Sequence, residues 1–239
     1  MVSVTVHAGS LRRMLDVLLL TTVKSPSEGE ASIAGVHLRT QKAMAGGGVS
    51  QTQALTGTTT TGTVVGRMHV SCNGELAAPV LLPIRDVPWL SKVLQEVHRD
   101  DKEGLVTLMV GEDLSARWVI ETRQATSHQA VLESASDFPL STCEAMLDGS
   151  ASAEVVVDKD SMEPLPAGCM TRFPGAYHSL LGTVSAKLNA DVDVFRMGHP
   201  AGVHLVSVGA WRGALSGSPY PVDASVDGPD EQETIDQAG

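Results

Sequence analysis

The sequence predicts an α+β fold assembled from repeated β-α-β-β-β half-domains. Two observations carry that expectation. A strand, a short connector and an amphipathic helix begin near residues 2, 80 and 154, and several short strands follow each start. The starts lie roughly 75 residues apart, long enough for a unit of one helix and four strands. The connectors read "HAGS", "RD" and "DKDS", and no strand runs into G-x-G-x-x-G or G-x-x-x-x-G-K-[ST]. A phosphate-cradling nucleotide loop is therefore excluded on residue type.

The elements follow in order. Val2, Val4 and Val6 alternate as in a half-buried strand. Leu11, Met14, Leu15 and Leu18 then form an apolar helical stripe, with Arg12, Arg13 and Asp16 on the other face. "SPSEGEA" (25–31) is a loop, and "IAGVHLRT" (33–40) a strand. The Gly-, Gln- and Ala-rich residues 41–56 are expected as a hairpin tip or insertion. The Thr- and Val-rich run 56–72 reads as one or two strands. In the second unit residues 79–84 form a short strand, Asp86 is placed as a helix N-cap and Pro88 in the first turn. Leu90, Val93, Leu94 and Val97 make the buried stripe; Lys92, Gln95, His98 and Arg99 lie opposite. "RDDKEG" is a terminating turn in which Lys102 is a turn residue, and "LVTLMV", "SARWVIET" and "SHQAVLES" read as strands. The third unit starts with a strand at Val155–Val157, with Asp158 or Asp160 capping a helix that Pro164 and Pro166 keep short. "DVDVFRMG", "GVHLVSVG" and "WRGALSG" are further strands, and the acidic tail 222–239 is expected to be disordered.

Composition narrows the class. Aromatic residues make up only 3% of the 239, so the core must be built from Val, Leu, Ala and Met. No apolar run approaches the ~20 residues of a membrane span. No basic-then-apolar leader opens the chain, and its three cysteines, Cys72, Cys143 and Cys169, show no C-x-x-C spacing. Reduced thiols and a cytoplasmic protein are expected. A net charge of −11 argues against non-specific wrapping of nucleic acid but leaves room for a local basic surface.

Catalytic chemistry finds no constellation. His199 and His204 flank "PAGV", with His178 upstream, but no carboxylate or cysteine recurs beside them at ligand spacing. Ser136 and Asp137 lack a G-x-S-x-G elbow, and Glu112 and Asp113 fall in a turn. Trp89, Trp118 and Trp211 read as core residues. No catalytic residue, metal or cofactor is expected.

Three stretches resemble the DNA polymerase sliding clamp of the bacterial β type, the DNA polymerase III beta subunit. "LAAPVLLPIRDVPWLSKVL" resembles the opening of the second half of a clamp domain. "LVTLMVGEDLSARWVIETRQATSHQAVLESASDFPL" resembles the strands that close one, with "SDFP" where that family carries an acidic–Phe–Pro turn. "DVDVFRMGHPAGVHLVSVGAWRGAL" resembles the family's last strands. The resemblance covers most of residues 1–220 through short, degenerate motifs. It implies antiparallel sheets with helices on one face, a complete clamp-like domain at 1–140 and an abbreviated one at 150–221. Two departures stand out. The chain has room for about one and a half of the family's three domains, which suits a short phage- or plasmid-encoded clamp. After "RGAL", "SGSPYPVD" replaces the family's apolar Met-Pro segment, so no partner pocket is assigned.

The resemblance further implies a non-enzymatic processivity factor. Its subunits form a homo-oligomeric ring around double-stranded DNA, without sequence preference, and serve a DNA polymerase and a clamp loader. Basic helix faces would meet the phosphates without reading bases. The DNA-facing candidates are Arg12, Arg13, Lys92, Arg99, Lys159 and Arg172; the plainer reading of each is a solvated helix face. The alternative from another class is an α+β small-molecule or peptide-binding domain with no DNA role.

Overall fold

Strand β1 (Val2–His7) passes into helix α1 (Ala8–Leu18) with no connector between them. The structure is a computed structural model that describes residues 2–27, 30–44, 51–110, 116–119, 132–148, 170–172, 174–196 and 203–220. "HAGS" is thus not a loop: Ala8 is fully buried and its N–H donates to the Gly104 carbonyl at 2.9 Å, which fixes the helix start against the second unit. Leu11, Met14, Leu15 and Leu18 are all fully buried, as their spacing predicts. The Thr21 and Thr22 hydroxyls donate to the Leu18 carbonyl at 3.1 and 3.0 Å and help close the helix.

Strands β2 (Gly35–Met44), β3 (Gln51–Thr60) and β4 (Val64–Gly74) form an antiparallel meander. The expected tip at 41–56 is a correction, because paired strand extends to Met44 and resumes at Gln51. A backbone ladder needs only an aligned partner, so polar Gln41, Lys42 and Gln53 continue it despite weak strand propensity. The 56–72 run does form two strands. They turn at Gly62, whose φ of +88° suits glycine and whose N–H donates to Thr60 Oγ1 at 2.9 Å.

The second unit comprises β5 (Val80–Pro83), α2 (Val87–Asp100), β6 (Leu105–Val110), β7 (Ala116–Val119) and the short β8 (Glu133–Ser134). Pro88 stands in the first turn of α2 as expected. Asp86 holds the N-cap position, but its carboxylate makes no capping bond; its backbone carbonyl accepts the Leu90 N–H at 3.0 Å. Helix α3 (Leu140–Asp148) follows the "SDFP" turn and was not expected from the sequence.

The last part contains β9 (Met170–Arg172), α4 (Gly175–Leu188), β10 (Val192–Arg196), β11 (Val203–Val208), β12 (Trp211–Ser216) and β13 (Ser218–Tyr220). The expected strand at 155–157 and its capped helix lie outside the described residues, as does the acidic tail. The helix that precedes the final strands is α4. Its Gly-, Ser- and Thr-interrupted sequence buries only Val184 fully, so no strong apolar stripe announces it. Asn189, at φ 49°, ends it in the left-handed conformation.

Among the described residues, eleven strands join in one antiparallel sheet. Its main path runs β10-β11-β12-β4-β3-β2-β5-β8, and β1 bridges β4 and β6. Strand alternation separates two hydrophobic clusters. Val64, Met68, Val70, Val80, Leu82, Val206, Val208, Trp211 and Leu215 share a cluster with α1, α2 and α4. The intervening Val65, Leu81 and Ala214 join Phe138, Cys143 and Met146 on the α3 side. Helices α1, α2 and α4 therefore cover one face and α3 the other. The expectation of antiparallel sheets with helices on one face holds for α1 and α2, and α4 joins them there; α3 is an addition.

Candidate nucleic-acid interface

Helices α1 and α2 pack closely because glycine permits it: a Cβ on Gly9 would lie 2.8 Å from Nδ1 of His98. His98 also meets His7 edge-on, with ring centroids 5.7 Å apart. Beside this contact, Gly9, Arg12, Arg13, Asp16 and Val17 of α1, His98 of α2 and Lys187 of α4 line a groove of about 210 Å³. Three positive charges from two helices thus meet one carboxylate in an open, solvated groove, a place suited to an anion.

The predicted basic residues do not all converge there. Arg12 is half-buried, its Nε 3.5 Å from Asp16 Oδ2. Arg13 is exposed and, among the described residues, has no ion-pair partner. Lys92 is exposed on α2 but does not line the groove. Arg99 is exposed, turned to its neighbour Asp100 at 3.2 Å, and also lies off the groove. Arg172 is on β9, opposite Ser218, just before α4. Lys159 lies outside the described residues. Sequence reasoning missed Lys187 and His98 as groove members. For Lys187 the available signal was Lys-Leu-Asn at 187–189, a helix-stop pattern in a segment too weakly amphipathic to be read as a helix.

The opposite face carries a second charged cluster. Cross-strand pairing aligns His37, Thr58, Arg67 and Arg212 across four strands, with Arg39 two residues along β2 from His37. Glu144 of α3 pairs with Arg39 and lies 3.7 Å from Arg67 Nη2. His37 stacks on Phe138 with centroids 4.8 Å apart. Burial, reinforced by the Arg39 charge, pushes its imidazole down to about 4. Burial likewise lowers the Arg67 pKa and raises that of Cys143. Arg67, Leu147, Asp148, Leu205, Val206, Arg212 and Gly213 line a cleft of about 300 Å³ on this side.

The other sequence candidates fall in unremarkable places. Ser136 and Asp137 occupy an exposed turn, and Cys72 and Cys143 are free thiols. Trp211 is fully buried, but Trp89 is 38% exposed, which corrects its assignment to the core. Among the described residues, no group of three or more His, Cys, Asp and Glu could hold a metal, and no helix is long and apolar enough to cross a membrane.

The continuous antiparallel sheet, with α1, α2 and α4 together on one face, is the sliding-clamp fold. The chain is similar to the sliding clamp (DNA polymerase III subunit beta) of Bartonella birtlesii, with 14% identity, a TM-score of 0.59, and coverage of 92% of this chain and 66% of that one. The DNA polymerase III subunit beta of Pseudomonas aeruginosa gives 11% identity and a TM-score of 0.60, over 91% of this chain and 66% of that one. The beta subunit of Thermotoga maritima gives 11% and 0.59, over 99% and 68%. The chain thus spans about two thirds of the length of these clamp subunits. No protein-family model and no curated protein matches it.

Proposed function

We propose that this chain is a shortened DNA sliding clamp, a non-enzymatic processivity factor that encircles duplex DNA and tethers a replicative polymerase in the cytoplasm. The observation that carries the reading is the groove at which α1, α2 and α4 meet, because it gathers Arg12, Arg13 and Lys187 on the helical face of a clamp-type sheet. Cations placed this way attract phosphates without reaching base edges, as sliding requires. Arg12, Arg13, Lys92, Arg99, Lys159 and Arg172 remain the proposed DNA-facing set, and Lys187 joins it. Residues 1–140 are proposed as one clamp domain and 150–221 as a second, abbreviated one. The pairing of β12 with β4, from Arg212↔Arg67 to Leu215↔Val64, supports a sheet that continues from one to the other. The cleft beside α3, whose lining combines Leu147, Leu205 and Val206 with the charges of Arg67, Arg212 and Asp148, is the proposed place for a polymerase segment. A homo-oligomeric ring placed on DNA by a clamp loader completes the proposal.

The test is primer extension on a primed circular template with a cognate polymerase and loader, together with light scattering of the purified chain. A ring-sized oligomer and longer products are expected. A strict monomer with no effect on product length would sink the proposal.

A further inference from the structure

The groove between α1, α2 and α4 contains a carboxylate that a purely phosphate-binding surface would not carry. Asp16 accepts the Ser91 hydroxyl hydrogen through Oδ1 at 2.5 Å and faces Arg12 Nε through Oδ2 at 3.5 Å. Ser91 belongs to α2, so the carboxylate is pinned from both helices and cannot simply swing away when an anion enters. Its side chain keeps 28% of its exposure, so it still faces the groove's contents. Arg12 is engaged by this carboxylate, whereas Arg13 and Lys187 have no ion-pair partner among the described residues.

We propose that Asp16 is an electrostatic counterweight, a fixed negative charge that weakens the groove's hold on a duplex phosphate and keeps the grip loose. The inference rests on the DNA-facing reading of this groove. A phosphate drawn toward Arg13 and Lys187 is repelled by Asp16 and finds Arg12 already neutralised. Contacts weakened in this way are broken and remade easily as a duplex moves past. The competing explanation is that Asp16 merely ties α1 to α2.

Asp16→Asn separates the two, because it removes the charge and keeps both the shape and the acceptor for Ser91. Wild type, D16N and S91A, each as the full chain, are titrated onto a fluorescent duplex of about 30 base pairs between about 50 and 200 mM salt. D16N is expected to bind roughly 3- to 10-fold tighter at the lowest salt, the scale of one solvated charge acting across several Å. Its salt slope should steepen by about 0.9, as the freed Arg12 engages another phosphate. S91A keeps the charge and should stay within about twofold of wild type. An unchanged slope and affinity in D16N, against a wild type that binds, overturns the counterweight alone. A gain in S91A equal to that in D16N also overturns it and assigns the effect to the tether. If folded wild type and D16N both fail to bind the duplex, the DNA-facing reading falls, and the counterweight with it.

Discussion

Gly9 of α1 and His98 of α2 leave no room for a β-carbon between them: one built at position 9 would lie 2.8 Å from Nδ1 and 2.9 Å from Cε1 of the imidazole. The contact sets how closely the two repeat helices approach, and so where Arg12 and Arg13 stand relative to α2. Gly9→Ala should lower stability by about 1–2 kcal/mol, since the overpacking outweighs the helix-propensity gain. Gly9→Val should cost more. Combining G9A with His98→Ala should recover much of the loss, a coupling that thermal melts of the four-member cycle would measure.

The groove should dominate duplex binding through Arg13 and Lys187, which have no ion-pair partner among the described residues. Replacing Arg13 and Lys187 together with alanine should flatten the salt slope by about 1.8, two phosphate contacts, and leave stability within about 0.5 kcal/mol. Anisotropy titrations beside urea melts would check both. A slope unchanged by the double replacement would remove Lys187 from the proposed interface.

The His37 pair with Phe138 makes the α3 side acid-sensitive. An unfolded imidazole takes up its proton near 6.5, but His37 in the fold does so only near 4. Between those values the native state binds fewer protons, so stability that is complete above about 6.5 is lost as pH falls toward 4. The loss is on the order of 3 kcal/mol. His37→Gln should remove most of this slope from urea melts taken between pH 7 and 4. Phe138→Ala should let water in and move the imidazole pKa, followed by NMR, back toward 6.5.

Glu144 answers two arginines at once, Arg39 and Arg67, whose side chains keep only 23% and 16% of their exposure. Glu144→Gln takes from Arg39 its ion-pair partner and leaves Arg67 with only the more distant charge of Asp148. A loss of about 1–3 kcal/mol is expected, tempered by their residual contact with water. Replacing Arg39 with Met in the E144Q background should restore part of it. Chemical denaturation of the single and double variants tests that sign.

Much of the architecture was legible where the period of the sequence is strong. Val2, Val4 and Val6 announced β1, Leu11 to Leu18 announced α1, and Leu90 to Val97 announced α2. In each case one face of a single element had to be buried, and that demand is written locally. The candidate site was legible only in part. Arg12 and Arg13 were identified from the polar face of α1. Lys187 was not, because α4 has too little apolar patterning to declare itself and gains its place by docking.

The sequence by itself determined the strand–helix starts of the first two units, their two strongly amphipathic helices and the final strands from Val192 to Ser216, all of which follow from spacing along a few turns. The third start near residue 154 lies outside the described residues. Only the tertiary structure decided that the ladder between β2 and β3 reaches residues 44 and 51. It alone decided that His37, Arg39 and Arg67 share the α3 side, and that Lys187 meets Arg12 and Arg13 across a groove holding Asp16. Those outcomes depend on partners distant in the chain. A strand's pairing and a charge's neighbour are properties of the packed molecule, and no local periodicity encodes them.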